Sequence, residues 1–585
     1  MTVPMRTRLV RPKVACGVAL LAALSTACGT TAERVPDAAA DELASTTGVV
    51  VSAHHLASDA GAAMLAKGGN AIDAAVATAF ALAVTHPSAG NIGGGGFMVI
   101  RLADGTATTI DYREKAPAAA TPTMYLDKTG AIIWSATDSG WRAPGVPGTV
   151  RGLAMVHGKF GKLSWAEVVM PAVQLAEQGF ALSGPLANDL NEALKMILAP
   201  FPGSVATYGK AGGGKWVAGD TLRLPQLGRA LRAIAEGGPE VFYTGWIADS
   251  IDAQMRANRG LISRADLAAY TAVEREPVRG SFNGFDLIAM GPPSSGGMVT
   301  VLTLNQLEAL GIASRAREDA MTLHLRIEVA RRTYLERARW MGDPDFTEIP
   351  LARLLSKDYA RELAASIDTA HASSSADLGK EILTRTAESQ QTTHFSVVDA
   401  EGNAVSNTYT IEGWYGSGVV VAGFLLNNEM GDFNKKPGYT DQGWAIGTPA
   451  NVIAPGKRML SSMSPVIVTQ GGALRLVTGS PGGRTIPNSV LNVVLGVTAF
   501  GEGVRAAVDA PRIHHQWMPD TASFEAGAAT PEVLAALRAM GHRIKEEPAR
   551  SQGDAHSILY DAATRTARGA NDKRSPDSGV RVPKP

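Results

Sequence analysis

The sequence predicts an α/β (α+β) fold in which one unit is assembled from two stretches of the same chain. Three observations predict it. Short alternating apolar runs, the mark of half-buried strands, occur on both sides of a polar stretch at 371–391. Helical patterns of 3–4 spacing lie among those runs and do not form a separate block. No repeat period divides the chain. Its 585 residues are 45% hydrophobic and 19% charged, enough for one large layered domain. Lys+Arg and Asp+Glu both number 55, so the basic balance that a nucleic-acid partner requires is missing.

In chain order, Arg6, Arg8, Arg11 and Lys13 precede an apolar run at 14–24 that is too short to cross a bilayer. Residues 1–27 therefore read as a secretory signal. Ser25-Thr26-Ala27 before Cys28 resembles a bacterial lipobox, with Leu24 one place early. Cys28 is the candidate lipid attachment point, and export to the periplasm or cell envelope is expected. The only other cysteine, Cys16, lies in the apolar run, so the mature part holds no disulfide and no thiolate metal site. Residues 28–46 read as a tether. From Val49 an apolar strand leads into helices at 57–67 and 71–85, closed by Gly68-Gly69-Asn70 and Pro87. Gly93–Gly96 opens strands at 97–102 and 108–112 around Ala103-Asp104-Gly105. The middle reads mostly helical, most clearly at 320–341, where Glu328 and Arg331/Arg332 are offset for pairing within the helix. Residues 371–391, rich in Ser, Thr and Gln, read as an exposed linker. Beyond it, 395–398 and 404–409 alternate around Glu401-Gly402-Asn403 as a hairpin. Strands near 423–426, 466–469 and 474–478 follow, then helices at 486–500 and 531–540 and a last hairpin around Asp561.

Candidate chemistry starts at Gln391-Thr392-Thr393-His394. A cut at Gln391–Thr392 would give Thr392 a hydroxyl nucleophile and an α-amine of pKa about 8, a base at neutral pH. The same hydroxyl could attack the Gln391 carbonyl and make that cut by an N-to-O shift. Taken alone, Thr392 reads more often as an ordinary edge-strand threonine. Gly479-Ser480-Pro481-Gly482-Gly483-Arg484, between a strand and a helix, suits an oxyanion hole and equally a tight turn. Ser461-Ser462 offers two hydroxyls before a strand. Glu412, Glu429 and Asp432 could share one pocket that neutralises an amine; calcium-loop spacing is missing, so no metal is expected. Arg113 could grip a carboxylate, or simply pair with Glu114 at the surface. Gly93–Gly96 lacks the Lys and Ser/Thr of a phosphate loop, His514-His515 lacks a second ligand pair, and no cofactor is called for.

Together these pieces resemble bacterial γ-glutamyltransferases. The resemblance runs from about 49 to 575 through Gly-Asn-Ala-Ile-Asp-Ala-Ala (69–75), Asn91–Gly96, Asp111–Pro117, Pro144–Gly148, Gly291–Gly297, Gln391–Asp399, Asn427–Phe433, Leu460–Pro465, Gly479–Gly483 and Ala510–Trp517. It implies a four-layer αββα sandwich of the N-terminal-nucleophile hydrolase type, built from two segments of one precursor. It also implies autocleavage between Gln391 and Thr392, leaving a large subunit at 47–391 and a small one at 392–585. By position, Thr392 is the nucleophile, Thr410 the threonine bonded to it, and Gly482 and Gly483 the oxyanion pair. Arg113, Ser461 and Ser462 grip the donor's α-carboxylate, and Glu412, Glu429 and Asp432 hold its α-amine. Many relatives carry Asn where Glu412 stands, and some carry Gln where Glu429 stands. A lid over the pocket is implied at 436–458, with Trp444 near its usual aromatic. The activity implied is cleavage of glutathione and other γ-glutamyl amides, with transfer to water, amino acids or peptides. The only membrane contact expected is the lipid at Cys28. Two other readings are a glutaryl-type β-lactam acylase on the same fold, which Arg113 and Asp432 argue against, and an uncleaved binding lipoprotein.

Overall fold

The computed structural model describes residues 42–380, 391–438 and 449–584. The signal, Cys28, residues 381–390 of the 371–391 linker and Trp444 lie outside the described residues.

Two seven-stranded antiparallel sheets stack face to face. In spatial order, the first is Gly579–Arg581, Gly48–Ser52, Thr393–Asp399, Ala404–Thr410, Gly95–Arg101, Ala107–Asp111 and Val273–Arg275. The second runs Glu42–Ser45, Thr566–Ala570, Ser557–Asp561, Ala473–Thr478, Val466–Gln470, Phe285–Ala289 and Val278–Phe282. Both sheets take strands from each side of Gln391–Thr392, so neither sheet is complete without both segments. Strict alternation along the first sheet separates two cores. Val50, Met98, Ile100, Val397 and Val405 meet the fully buried helix Ala71–Thr85 and its neighbours His55–Ala66 and Trp165–Gln178. Val49, Val51, Phe97, Val99, Val398 and Ala404 join the apolar cluster of the second sheet, which the helices Gly296–Ala309 and Ile486–Thr498 cover from outside. Helix, sheet, sheet, helix is the order the resemblance implied.

The Ala71–Thr85 helix starts sharply because Asn70 accepts the N–H groups of Ile72 and Asp73 while Asp73 accepts that of Asn70, a capping box. Helix Ala320–Trp340 is capped by Asp319, and its Glu328 pairs with Arg331 (3.2 Å) and Arg332 (2.7 Å) as the spacing predicted.

Three expectations need correction. The stretch read as a tether ends sooner, because Glu42–Ser45 pairs with the otherwise open edge Thr566–Ala570. The stretch read as an exposed linker is anchored at its start: Ser375 is buried, its N–H donates to Asp520 (3.0 Å) and its carbonyl accepts the Trp517 indole N–H (2.7 Å). The mostly helical middle also supplies three strands to the two large sheets, two of which form a hairpin turned at Asn283-Gly284 that edges the second sheet.

Candidate active site

Thr392 stands just before Thr393–Asp399, an inner strand of the first sheet. The register sets Thr393 opposite Tyr409, so the next pair outward is Thr392 and Thr410. Their hydroxyl oxygens lie 3.5 Å apart. The chain is uncut here, and both hydroxyls converge on one atom: Thr392 Oγ1 donates to the Gln391 carbonyl oxygen at 2.8 Å and Thr410 Oγ1 donates to it at 3.0 Å. The Glu412 N–H donates to Thr410 Oγ1 (2.7 Å), which turns the Thr410 proton toward that carbonyl. Glu412 keeps a left-handed φ of 70°, a strain of the kind that gathers at functional sites.

The glycine run explains why Thr410 is held so closely. A Cβ on Gly94 would stand 2.0 Å from the Thr410 carbonyl oxygen, so only glycine lets the two backbones meet. Asn91 stitches the same place, donating to Thr410 O (2.9 Å) and accepting from Gly94 N (2.9 Å) and Thr149 Oγ1 (2.8 Å).

A polar seam between the sheets registers the glycine loop against Thr392. His394 is fully buried, with Nδ1 2.9 Å from Thr408 Oγ1 and Nε2 3.1 Å from Ser396 Oγ. Ser406 donates to Thr478 O (2.8 Å) and Ser396 to His556 O (2.7 Å), each bond crossing from the first sheet to the second. A Cβ on Gly479 would collide with the His394 ring at 2.3 Å. Beyond it, Gly482 (φ 127°) and Gly483 (φ 54°) turn into Gly483–Thr485 and the buried helix Ile486–Thr498, so their backbone lies at a helix start suited to negative charge. Gly482 and Thr392 line the same cavity of about 420 Å³.

The residues expected to hold the donor's head also come together, but closed on one another. Arg113 is 1% exposed, bonded to Asp432, 2.7 Å from Glu429 and 3.5 Å from Glu114, and it donates to Leu460 O at 3.2 Å. Its pairing is therefore not the surface contact with Glu114 that the sequence allowed. Glu412, Glu429 and Asp432 converge within 4.8 Å. Burial works against the Arg113 charge, but the surrounding carboxylates more than offset it and raise its pKa. Burial pushes the Glu114 carboxyl up to about 8 against the pull of Arg113, and raises Glu429 well above the usual carboxylate range.

Ser462 accepts from the buried Arg337 guanidinium at 2.8 Å, and the Ser461 carbonyl accepts from Ser295 N (2.8 Å) and Ser295 Oγ (2.7 Å). Arg337 and Ser295 were not singled out from sequence, while Asn91 appeared only within its motif and Glu114 only as a surface partner for Arg113. The Gly291–Gly297 motif, which contains Ser295, was in view; Arg337 gave no signal, being one of several arginines on its helix.

A Gamma-glutamyltranspeptidase family model matches residues 57–582. The chain belongs to this family, which is a family of enzymes. It is 43% identical over 532 residues to a glutathione hydrolase proenzyme of Escherichia coli (strain K12), covering 91% of each chain. Among solved structures, a cephalosporin acylase from Bacillus halodurans superposes with a TM-score of 0.81 at 25% identity, covering 96% of this chain and all (100%) of that one. A γ-glutamyltranspeptidase of Helicobacter pylori superposes with a TM-score of 0.53 at 41% identity, covering 54% of this chain and 90% of that one. Both neighbours agree with the N-terminal-nucleophile type of fold.

Proposed function

We propose that this chain is made as a proenzyme, cuts itself before Thr392, and then hydrolyses glutathione and related γ-glutamyl amides or transfers their glutamyl group to amino acids and peptides. The observation that carries this reading is the double hydrogen bond from Thr392 and Thr410 to the Gln391 carbonyl oxygen. It polarises the one amide whose rupture gives Thr392 a free amine.

In the precursor, Thr392 Oγ1 adds to the Gln391 carbonyl carbon, and Thr410 donates to the oxygen that becomes negative. As the Thr392 hydroxyl proton passes to the departing nitrogen, collapse breaks the C–N bond and leaves an ester beside a free α-amine; water then hydrolyses the ester. In the mature enzyme the new α-amine takes the Thr392 proton as the hydroxyl adds to the donor's γ-carbonyl. The Gly482 and Gly483 N–H groups stabilise the oxyanion, and the departing amine takes the proton back. The donor's α-carboxylate competes with Glu429 for Arg113 beside Ser461 and Ser462, while its ammonium enters among Glu412, Glu429 and Asp432. Residues 47–391 and 392–585 are the two subunits on this reading. The signal at 1–27 implies export, with Cys28 as the lipid anchor; no described helix is long and apolar enough to cross a membrane.

Incubation with a γ-glutamyl anilide tests the reading: the wild-type chain should run as two bands on a denaturing gel and release the amine. Thr392→Ala should stay a single band and be inactive; full activity in that variant would sink the proposal. The acylase superposition favours one alternative, a glutaryl-type acylase. Retention of both Arg113 and Asp432, which suit an α-amino acid head, supports the glutamyl reading, and kcat/KM for glutaryl against glutamyl anilides decides between them.

A further inference from the structure

The cavity beside Thr392 lies apart from the Arg113 cluster, and its walls have a chemistry of their own. Gln391, Thr392 and Gly482 line it together with His86, Asp189, Arg550, Asp554, Arg574 and Asp577. Most of these groups are already committed. Arg574 is held by Glu525 (2.5 Å) and Asp572 (3.1 Å), and Asp189 accepts from Trp414 (2.9 Å) and Tyr415 (2.8 Å). Asp577 accepts from Ser183 (2.9 Å). Arg550 differs. It is exposed, and among the described residues it makes no ion pair.

Its backbone is strained as well, with a φ of 60° that a non-glycine residue adopts at a cost. The loop that carries it abuts the glycine loop. The Asp554 N–H donates to Ser480 Oγ (2.9 Å), and a Cβ on Gly482 would stand 3.3 Å from Gly553 Cα. Arg550 is thus an exposed, uncommitted guanidinium that lines the cavity together with Thr392 and the carboxylates of Asp189, Asp554 and Asp577.

We propose that this cavity is the subsite for the amine half of the reaction, and that Arg550 is the specificity residue that grips the carboxylate of the leaving or accepting peptide. The inference rests on the function proposed above. With the glutamyl head taken by the Arg113 cluster, the part of the substrate beyond the scissile nitrogen must lie elsewhere, and cleavage clears Gln391 from this cavity. A dipeptide extends about 7 Å and, once released, carries an ammonium at one end and a carboxylate at the other. The Asp189, Asp554 and Asp577 wall suits the first, and Arg550, through a charge-assisted pair, the second.

The test compares kcat/KM of the mature enzyme for glutathione, for glutathione amidated at its glycine carboxylate, and for a γ-glutamyl anilide. Amidation is expected to lower the wild-type value about tenfold. Arg550→Ala should lower the value for glutathione about tenfold relative to the anilide and remove the penalty for amidation, and Arg550→Lys should recover part of it. An equal fall for all three substrates, or an amidation penalty that survives in Arg550→Ala, overturns the assignment. Should Arg550→Ala fail to mature, the wild-type comparison decides alone: no penalty for amidation overturns it. Failure of the wild type to cleave even the anilide would strike the functional reading itself.

Discussion

Two hydroxyls meet on one carbonyl oxygen, and Thr410 assists the first cut without being the attacking group. Thr410→Val keeps the shape of the side chain but removes the donor to Gln391 O, and loss of one such donor costs about 100- to 1000-fold. Band conversion followed over time on a denaturing gel should slow by that order, while Thr410→Ser should mature close to the wild-type rate. The acid cluster gives a pH signature. The Glu114 carboxyl rises from an ordinary value of 4.5 to about 8 in the folded state, so the native protein holds a proton that the unfolded chain has lost. Stability is therefore greatest below about 4.5, as far as this group is concerned, and declines as pH climbs through that window. Thermal melting across the same range should show a shallower decline in Glu114→Gln. The proton on the cluster also competes with the donor's ammonium. KM for γ-glutamyl donors should fall as rising pH takes the proton from Glu429, whose carboxyl burial holds well above the usual range, and Glu429→Gln should flatten the dependence.

Among the elements, the glycine loop depends on the strand behind it. Gly482 has a φ of 127°, and a Cβ there would meet Thr485 Oγ1 at 2.4 Å, the same oxygen that donates to Gly482 O. Gly482→Ala should lower kcat at least 100-fold, measured with a γ-glutamyl anilide on whatever fraction matures. The elements themselves were largely legible in the sequence. The hairpin 395–398 and 404–409 announced itself by alternation around Glu401-Gly402-Asn403, and the helix at 71–85 by its caps. Glu42–Ser45 did not, because its four residues take a strand form only against the partner edge Thr566–Ala570. For the site, the residue types were readable but their state was not. The expectation that Arg113 reaches for a carboxylate holds only after Glu429 and Asp432, distant in sequence, have been displaced from it. His394 was quoted within the nucleophile motif without a role. Its place in the seam against Gly479 depends on how the second sheet stacks, which no local pattern encodes.

For the whole molecule, the interleaving of strands fixes what cleavage can and cannot do. The nucleophile hairpin lies between Gly48–Ser52 and Gly95–Arg101, and the second sheet mixes the two segments in the same way. Breaking the Gln391–Thr392 bond therefore leaves the cores intact. The matured protein should elute as one peak in native gel filtration and give two bands on a denaturing gel, and the fragments should separate only in denaturant.

The strand Gly579–Arg581 ends the first sheet beside Gly48–Ser52, which in turn holds the strand that begins after Thr392. Gly579–Arg581 follows Thr392 far along the chain, so the sheet around the Gln391–Thr392 bond stays open at this edge until that last strand has been made. On the proposed reading, self-cleavage waits on residues far from the cut: a chain that has not reached 579 carries its reactive hydroxyl in a sheet that is not yet closed.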